Sequence, residues 1–323
     1  MKRLPKNWPT TANEVWSVPT EDGWTLGLHV YGDPRSGRPP VALFHGALSN
    51  SRQFDIGGFG LANFLVRHGF VAFAADFRGR GYSLEPPGSA GWDVDDLINR
   101  DVPAVLRAIS RATGYERVDA VGHSLGGMSL LGYMGVNGEN LGKLVSLGGT
   151  VTLDIAPGFR HVVGAMSHFS VIPIAGLGER VGFISKLIPL AFWRWCCNPK
   201  NVPPTEFRQF LACGSGNISV RKVRHLQRIA EAGRLVSADG SVDYSARLGE
   251  AENPVRIFGA IADTMVSRRQ IRHTHSLLAS SDAEIVWCGR ERGFAEDYGH
   301  LDLVMAKTIE REVFAEILHF LRA

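Results

Sequence analysis

Cysteine is scarce in this chain. Four are present among 323 residues: Cys196, Cys197, Cys213 and Cys288. Adjacent cysteines rarely bridge to each other, and the spacing offers neither a disulfide framework nor a metal site. Free thiols suit a reducing compartment, so a cytoplasmic location is expected. An excess of one charge is also lacking, because 35 basic residues stand against 32 acidic ones, a net charge of +3. A nucleic-acid binder carries a basic stripe or cluster; none is visible, and no nucleic-acid partner is expected. Long hydrophobic runs are missing too. Met1-Lys2-Arg3 has the charges of a leader peptide, but Asn7, Pro9 and Thr10 break up the stretch after it, so no secretory leader is expected. The most apolar stretch, Val171 to Trp195, is broken by Pro173, Glu179, Arg180, Lys186, Pro189 and Arg194. A spanning helix needs about 20 nearly uncharged residues, so no integral membrane segment is expected.

What the chain does have is core material: 45% apolar residues with 21% charged, and 37 glycines. Thr25 to Tyr31 alternates as a strand, and Gly32-Asp33-Pro34 turns it. Val41 to Phe44 and Phe70 to Ala75 are short unbroken apolar runs, as expected of strands buried on both faces. Phe59 to His68 reads as a helix between them. Val94, Leu97, Ile98, Val102, Val105, Leu106 and Ile109 follow helical spacing, with Pro103 predicting a kink or a two-piece helix. Val118 to Val121, Leu144 to Leu147, Val255 to Phe258 and Glu284 to Trp287 read as further strands. Helices are expected from Leu125, between the last two strands, and at the end through Ile309, Val313, Ile317 and Leu321. Strands alternating with helices imply an α/β fold, a parallel sheet covered on both faces. Between Gly149 and Asn253 the rhythm stops. Residues 1–150 and 251–323 are therefore expected to form the core, and residues 151–250 an inserted, mostly helical cap, since a structureless loop of that length is implausible in a compact domain.

Gly122-His123-Ser124-Leu125-Gly126 is a G-x-S-x-G pentapeptide, entered by a predicted strand and left by a predicted helix. So tight a turn needs small residues around the nucleophile and lifts the serine oxygen above the strand ends. A serine hydroxyl is a weak nucleophile and needs a base, plus an acid to orient that base. His300 follows the last strand, where the base belongs. Asp263 follows the penultimate strand, where the acid belongs; Asp302, Asp297 and Asp282 compete, and Asp263 could instead be a helix N-cap. Donors for the developing oxyanion are expected from the backbone N–H groups of Leu125 and Ala47. His45 is expected to brace its loop. In Asp76-Phe77-Arg78-Gly79-Arg80-Gly81 the phosphate-loop and dinucleotide patterns are missing, and Asp76 and Arg78 are expected to tie loops together. No cofactor and no metal are expected.

In order and spacing these residues resemble the α/β-hydrolase superfamily. Asp95-Asp96-Leu97-Ile98-Asn99-Arg100-Asp101-Val102-Pro103-Ala104 leading into the elbow, together with Gly299-His300-Leu301-Asp302, is similar to the acid-lipase branch of gastric and lysosomal lipases. The resemblance implies a mostly parallel sheet of about eight strands with a helical cap inserted after the sixth. It also implies carboxylester hydrolysis by Ser124, Asp263 and His300, with Ala47 and Leu125 as oxyanion donors. An apolar set in the insertion, Phe159, Met166, Phe169, Phe183, Leu187 and Trp193 among it, either packs the cap or lines a pocket for a hydrophobic acyl ester. An acyltransferase or thioesterase would use the same triad, and a ligand-binding protein could inherit the fold without the chemistry.

Overall fold

The computed structural model describes residues 10–47, 49–154, 171–172, 190–204, 206–207, 210 and 217–323. Eight strands form one sheet: β1 (Glu14–Pro19), β2 (Thr25–Tyr31), β3 (Pro40–Phe44), β4 (Val71–Ala75), β5 (Val118–His123), β6 (Leu141–Leu147), β9 (Val255–Ala260) and β10 (Ala283–Cys288). A separate two-residue pair, β7 (Val171–Ile172) and β8 (Ile218–Ser219), falls between β6 and β9. The order across the large sheet is β1-β2-β4-β3-β5-β6-β9-β10. Pairing is antiparallel for β1–β2 and β2–β4 and parallel from β4 onward. The central strands carry no polar face because both faces are covered. Val41, Ala42, Leu43 and Phe44 are all fully buried, as are Val71 to Ala74.

Each face has its own hydrophobic layer. One receives α3 (Val102–Thr113), α4 (Leu125–Val136) and, near the far edge, α7 (Arg268–Ser276). The other receives α1 (Leu61–Arg67), α8 (Asp302–Met305) and α9 (Val313–Arg322). Helix α4 is apolar all round, which only a helix enclosed by protein tolerates, and its residues from Leu125 to Met134 are all buried. Truncating Leu130 or Leu131 to alanine there would cost about 2–5 kcal/mol. The two-piece helix expected around Pro103 takes a definite form. A short α2 (Val94–Asp96) runs through one π-helical stretch, Leu97–Asp101, into α3, whose first turn holds Pro103. The missing proline N–H is thereby placed where the ladder is already interrupted.

Two details differ from expectation. Ile309 lies in a turn before α9 rather than in the helix, still buried against it. The edge strand β1 is not apparent as a run because only Val18 of its six residues is fully buried. In the insertion the described helices are α5 (Leu190–Cys196) and α6 (Val220–Ala232). The apolar residues 159, 166, 169, 183 and 187 lie outside the described residues.

Candidate active site

Ser124 links β5 to α4 at φ 52° and ψ −115°. A non-glycine residue at positive φ is uncommon and costs on the order of 1–3 kcal/mol, so the surroundings must hold it. They do so through the backbone: Ser124 N–H donates to the Leu147 carbonyl at 2.9 Å and its carbonyl accepts from Met128 N–H at 2.9 Å. Glycines make that packing possible. A Cβ at Gly122 would meet the backbone of Gly126 and Gly127, and one at Gly126 would meet the Phe44 carbonyl. The elbow thus requires glycine on both sides of the serine for close approach of the chain to itself.

His300 comes from the turn before α8 and is buried, at 3% exposure. Its Nδ1 lies 2.8 Å from Asp263 Oδ2. The other carboxylate oxygen of Asp263 accepts Met265 and Val266 N–H at 2.8 and 2.9 Å, so the residue closes the turn after β9 and holds the histidine at once. An ionised carboxylate can only accept, which puts the imidazole proton on Nδ1 and leaves a lone pair on Nε2. That Nε2 is buried and has no hydrogen-bond partner among the described residues. The rival acids are placed elsewhere. Asp302 accepts from Gly299 N–H at 2.9 Å and from Asn198 N–H and Asn201 Nδ2 at 3.1 and 2.8 Å. Burial pushes its pKa up to about 6, against the pull of those donors. Asp297 accepts Arg290 N–H at 2.9 Å, and Asp282 pairs with Arg256 at 2.8 Å on the surface.

Asn198 and Asn201 carry no functional signal in the sequence. They belong to the insertion, and both also donate to the Asp297 carbonyl, at 2.7 and 3.0 Å. Leu301 N–H donates to the Cys196 carbonyl at 3.0 Å. The stretch from Cys196 to Asn201 therefore clamps the turn that presents His300. The one sequence hint, an Asn-Pro pair typical of turns, says nothing about a partner a hundred residues away.

Two more histidines stand beside the elbow. His123 Nε2 lies 3.2 Å from the His300 carbonyl, and the two rings are 4.9 Å apart. His45 has both nitrogens engaged: Nδ1 with the Gly46 carbonyl at 2.8 Å and Nε2 accepting Phe77 N–H at 3.1 Å. Burial depresses its pKa to about 4, so it stays neutral. The loop it anchors passes over the serine, since a Cβ at Gly46 would lie 3.4 Å from the Cβ of Ser124. Gln53 accepts Gly46 N–H at 3.3 Å, and Arg80 Nη2 donates to the Ala47 carbonyl at 2.7 Å. The loop residue before Ala47 thus packs against Ser124, and Leu125, the first residue of α4, follows it. Behind this layer Asp76 accepts from Ser51 N–H, Tyr82 N–H and His29 Nε2, at 2.8, 2.8 and 3.1 Å. Arg78 donates to Asp101 and Asp22 at 2.8 Å each.

Elsewhere, Asp93, Asp95 and His225 gather within 4.8 Å of one another. Both ring nitrogens of His225 are taken, by Val94 N–H at 3.2 Å and the Val236 carbonyl at 2.7 Å. The trio is a hydrogen-bonded knot between α2 and α6.

Comparison with known proteins bears on the fold. The family described as alpha/beta hydrolase fold matches residues 39–168. Lipase 1 of Drosophila melanogaster is 32% identical over 123 residues, covering 35% of this chain and 28% of its own. Human gastric triacylglycerol lipase is 31% identical over 129 residues, 35% of this chain and 32% of its own. The chain spans well under half the length of the curated relatives it matches. Among solved structures, a hydrolase from Pseudomonas aeruginosa is similar with TM-score 0.64 at 20% identity, covering 97% of this chain and 100% of that one. An esterase from Exiguobacterium antarcticum is similar with TM-score 0.64 at 18% identity, covering 95% and 99%. Among the described residues no helix is long and apolar enough to cross a membrane. Sheet order and the family match over residues 39–168 agree on the α/β-hydrolase fold, and about a third of the chain is similar in sequence to lipases.

Proposed function

We propose that this chain is a serine carboxylester hydrolase that works through an acyl-enzyme on Ser124. One observation carries the reading: beside the strained serine elbow stands a buried histidine whose Nδ1 is held by Asp263 while its Nε2 has no partner among the described residues. Such a nitrogen is a base with nothing to do in the fold itself. In the proposed cycle His300 Nε2 takes the Ser124 proton as the serine oxygen attacks the ester carbonyl. Asp263 keeps the tautomer and stabilises the imidazolium, remaining ionised. The protonated His300 then returns that proton to the departing alkoxide, and water repeats the sequence to release the acid.

The oxyanion is assigned to the N–H groups of Leu125 and Ala47. Leu125 opens α4, where N–H groups have no intrahelical acceptor and the helix dipole favours negative charge. Each such donor is worth about 10²–10³ in turnover. The insertion between β6 and β9, residues 151–250, is read as a cap over this site, and its apolar composition favours a hydrophobic acyl group. The lipase and esterase names of the similar proteins agree with this chemistry.

Intact mass after treatment with a fluorophosphonate tests the reading, with a p-nitrophenyl ester chain-length series on the same preparation. A single adduct on Ser124 together with ester turnover is the expected result. Folded protein with neither adduct nor turnover overturns it. Release of a transferred ester in the presence of an alcohol, in preference to free acid, would move the reading to acyl transfer.

A further inference from the structure

Two buried arginines occupy the loop after β4, and they are treated differently. Arg78, 1% exposed, is surrounded by Asp22, Asp96 and Asp101. Arg80, 3% exposed, has among the described residues no carboxylate partner, with Nη2 donating to the Ala47 carbonyl and Nη1 buried without an acceptor. A second cation stands near it. Lys222, on the first turn of α6, is 5% exposed, and no acid pairs with its ammonium among the described residues. The face of Trp92 lies 6.0 Å from its Nζ. Burial, and after it the positive charge of Arg80, pushes the Lys222 ammonium well below its usual range, so the site as it stands lacks an anion to hold that charge, and both groups also lower His45 slightly. Asp76, the nearby acid, already spends its oxygens on Ser51, Tyr82 and His29. Arg52, earlier in the chain, likewise has Nη1 and Nη2 buried without acceptors among the described residues.

Burying a charged donor without an acceptor is costly, and two like charges together compound the cost. The fold does not need this pair, since Arg78 shows how the same loop neutralises a buried guanidinium. The arrangement instead sits against the loop that carries a proposed oxyanion donor. We propose that Arg80 and Lys222 bind an anionic group, a carboxylate or a phosphate, carried by the ester substrate on the Ala47 side of Ser124. This rests on the ester-hydrolase reading and narrows it, from a neutral hydrophobic ester to one with a charged end. Arg80 then has two tasks: Nη2 steadies the Ala47 loop, and Nη1 faces the anion. Lys222 brings in the insertion, so the cap contributes to choosing the substrate.

The test compares p-nitrophenyl butyrate with mono-p-nitrophenyl glutarate, and with an acyl ester of glycerol phosphate followed by acid release. Lys222→Met should lower the ratio of kcat/KM for an anionic ester over the neutral one by roughly tenfold or more, the scale of one charge-assisted hydrogen bond. Lys222→Arg should keep most of the ratio. Whichever anionic ester loses more identifies the group as carboxylate or phosphate. Independently of turnover, glutarate or inorganic phosphate should raise the melting temperature of Ser124→Ala protein, and the rise should vanish when Lys222→Met is added. Should Lys222→Met fail to fold, Lys222→Gln carries the same comparisons. Ester turnover through Ser124 with an unchanged ratio and no anion-dependent stabilisation overturns the anion site and leaves the hydrolase reading standing. Lys222-dependent anion binding without any ester turnover does the reverse.

Discussion

The loops that follow β3 and β10 each bring a buried histidine to the elbow, and the two differ in what their nitrogens do. His45 has both nitrogens taken by backbone groups within its own neighbourhood and is held neutral by burial. His300 has one nitrogen held by a carboxylate and the other without a partner among the described residues. Burial alone therefore does not distinguish a structural histidine from a base. His300 differs from His45 in that the fold does not consume its lone pair, and from His29, which has the same pattern against Asp76, in standing at the serine elbow. His123 falls between them, with one nitrogen on the His300 carbonyl and one unpaired, but no carboxylate to orient it.

The sharpest way to break this comparison is to delete the proposed base or its nucleophile. Ser124→Ala and His300→Ala should each lower kcat by about 10⁵–10⁶, measured on a p-nitrophenyl ester with folding checked by circular dichroism. His45→Gln in the same assay should lose less than about tenfold, because it touches no reacting atom. If His45→Gln falls as far as His300→Ala, the assignment of roles is wrong. Asp263→Asn should cost about 10⁴ in kcat, since an amide can hold the wrong tautomer. Full activity in Asp263→Asn would shift the acid elsewhere.

Smaller effects sharpen the comparison through stability. Between pH 6.5 and about 4 the unfolded chain binds a proton at His45 that the folded chain does not. Folding stability from this group therefore falls as pH drops through that window, by up to about 3 kcal/mol. Asp302 has the opposite sign. Its folded pKa of about 6 lies above the ordinary 3.8, so the folded chain holds a proton the unfolded one releases. Its contribution improves as pH falls from 6 to 3.8, again by up to about 3 kcal/mol. Thermal melts at pH 7 and pH 4.5 should show a shallower acid loss in His45→Gln and a steeper one in Asp302→Asn than in the parent. Slopes changing in the same direction would refute one of the two assignments. Asp302→Asn should reduce turnover only a fewfold at pH 7, because it loosens the turn that carries His300 without touching the ring.

Much of the sheet was legible because strands buried on both faces are short unbroken apolar runs, as at Val41 to Phe44 and Val71 to Ala75. The edge strand β1 was not, because four of its six residues are exposed and it reads like loop. Ser124 was legible through glycines that the elbow's geometry demands. His300 and Asp263 were legible only by their position after strands, a weaker signal that left Asp302, Asp297 and Asp282 in competition. The clamp of Asn198 and Asn201 on Asp302 had no signal at all, since its hydrogen bonds join residues about a hundred positions apart. Nor did the contrast between Arg78 and Arg80, which are alike in sequence and two residues apart.

By itself, then, the sequence determined what is local and periodic: which runs are apolar enough to be central strands, where the chain must turn on glycine, and that one serine sits on such a turn. Tertiary structure alone decided which carboxylate meets which cation or imidazole. Those pairings depend on how the loops at the ends of β3, β4, β5, β9 and β10 converge over one sheet. A side chain's chemistry is set by the few ångströms around it, and those neighbours come from the whole length of the chain.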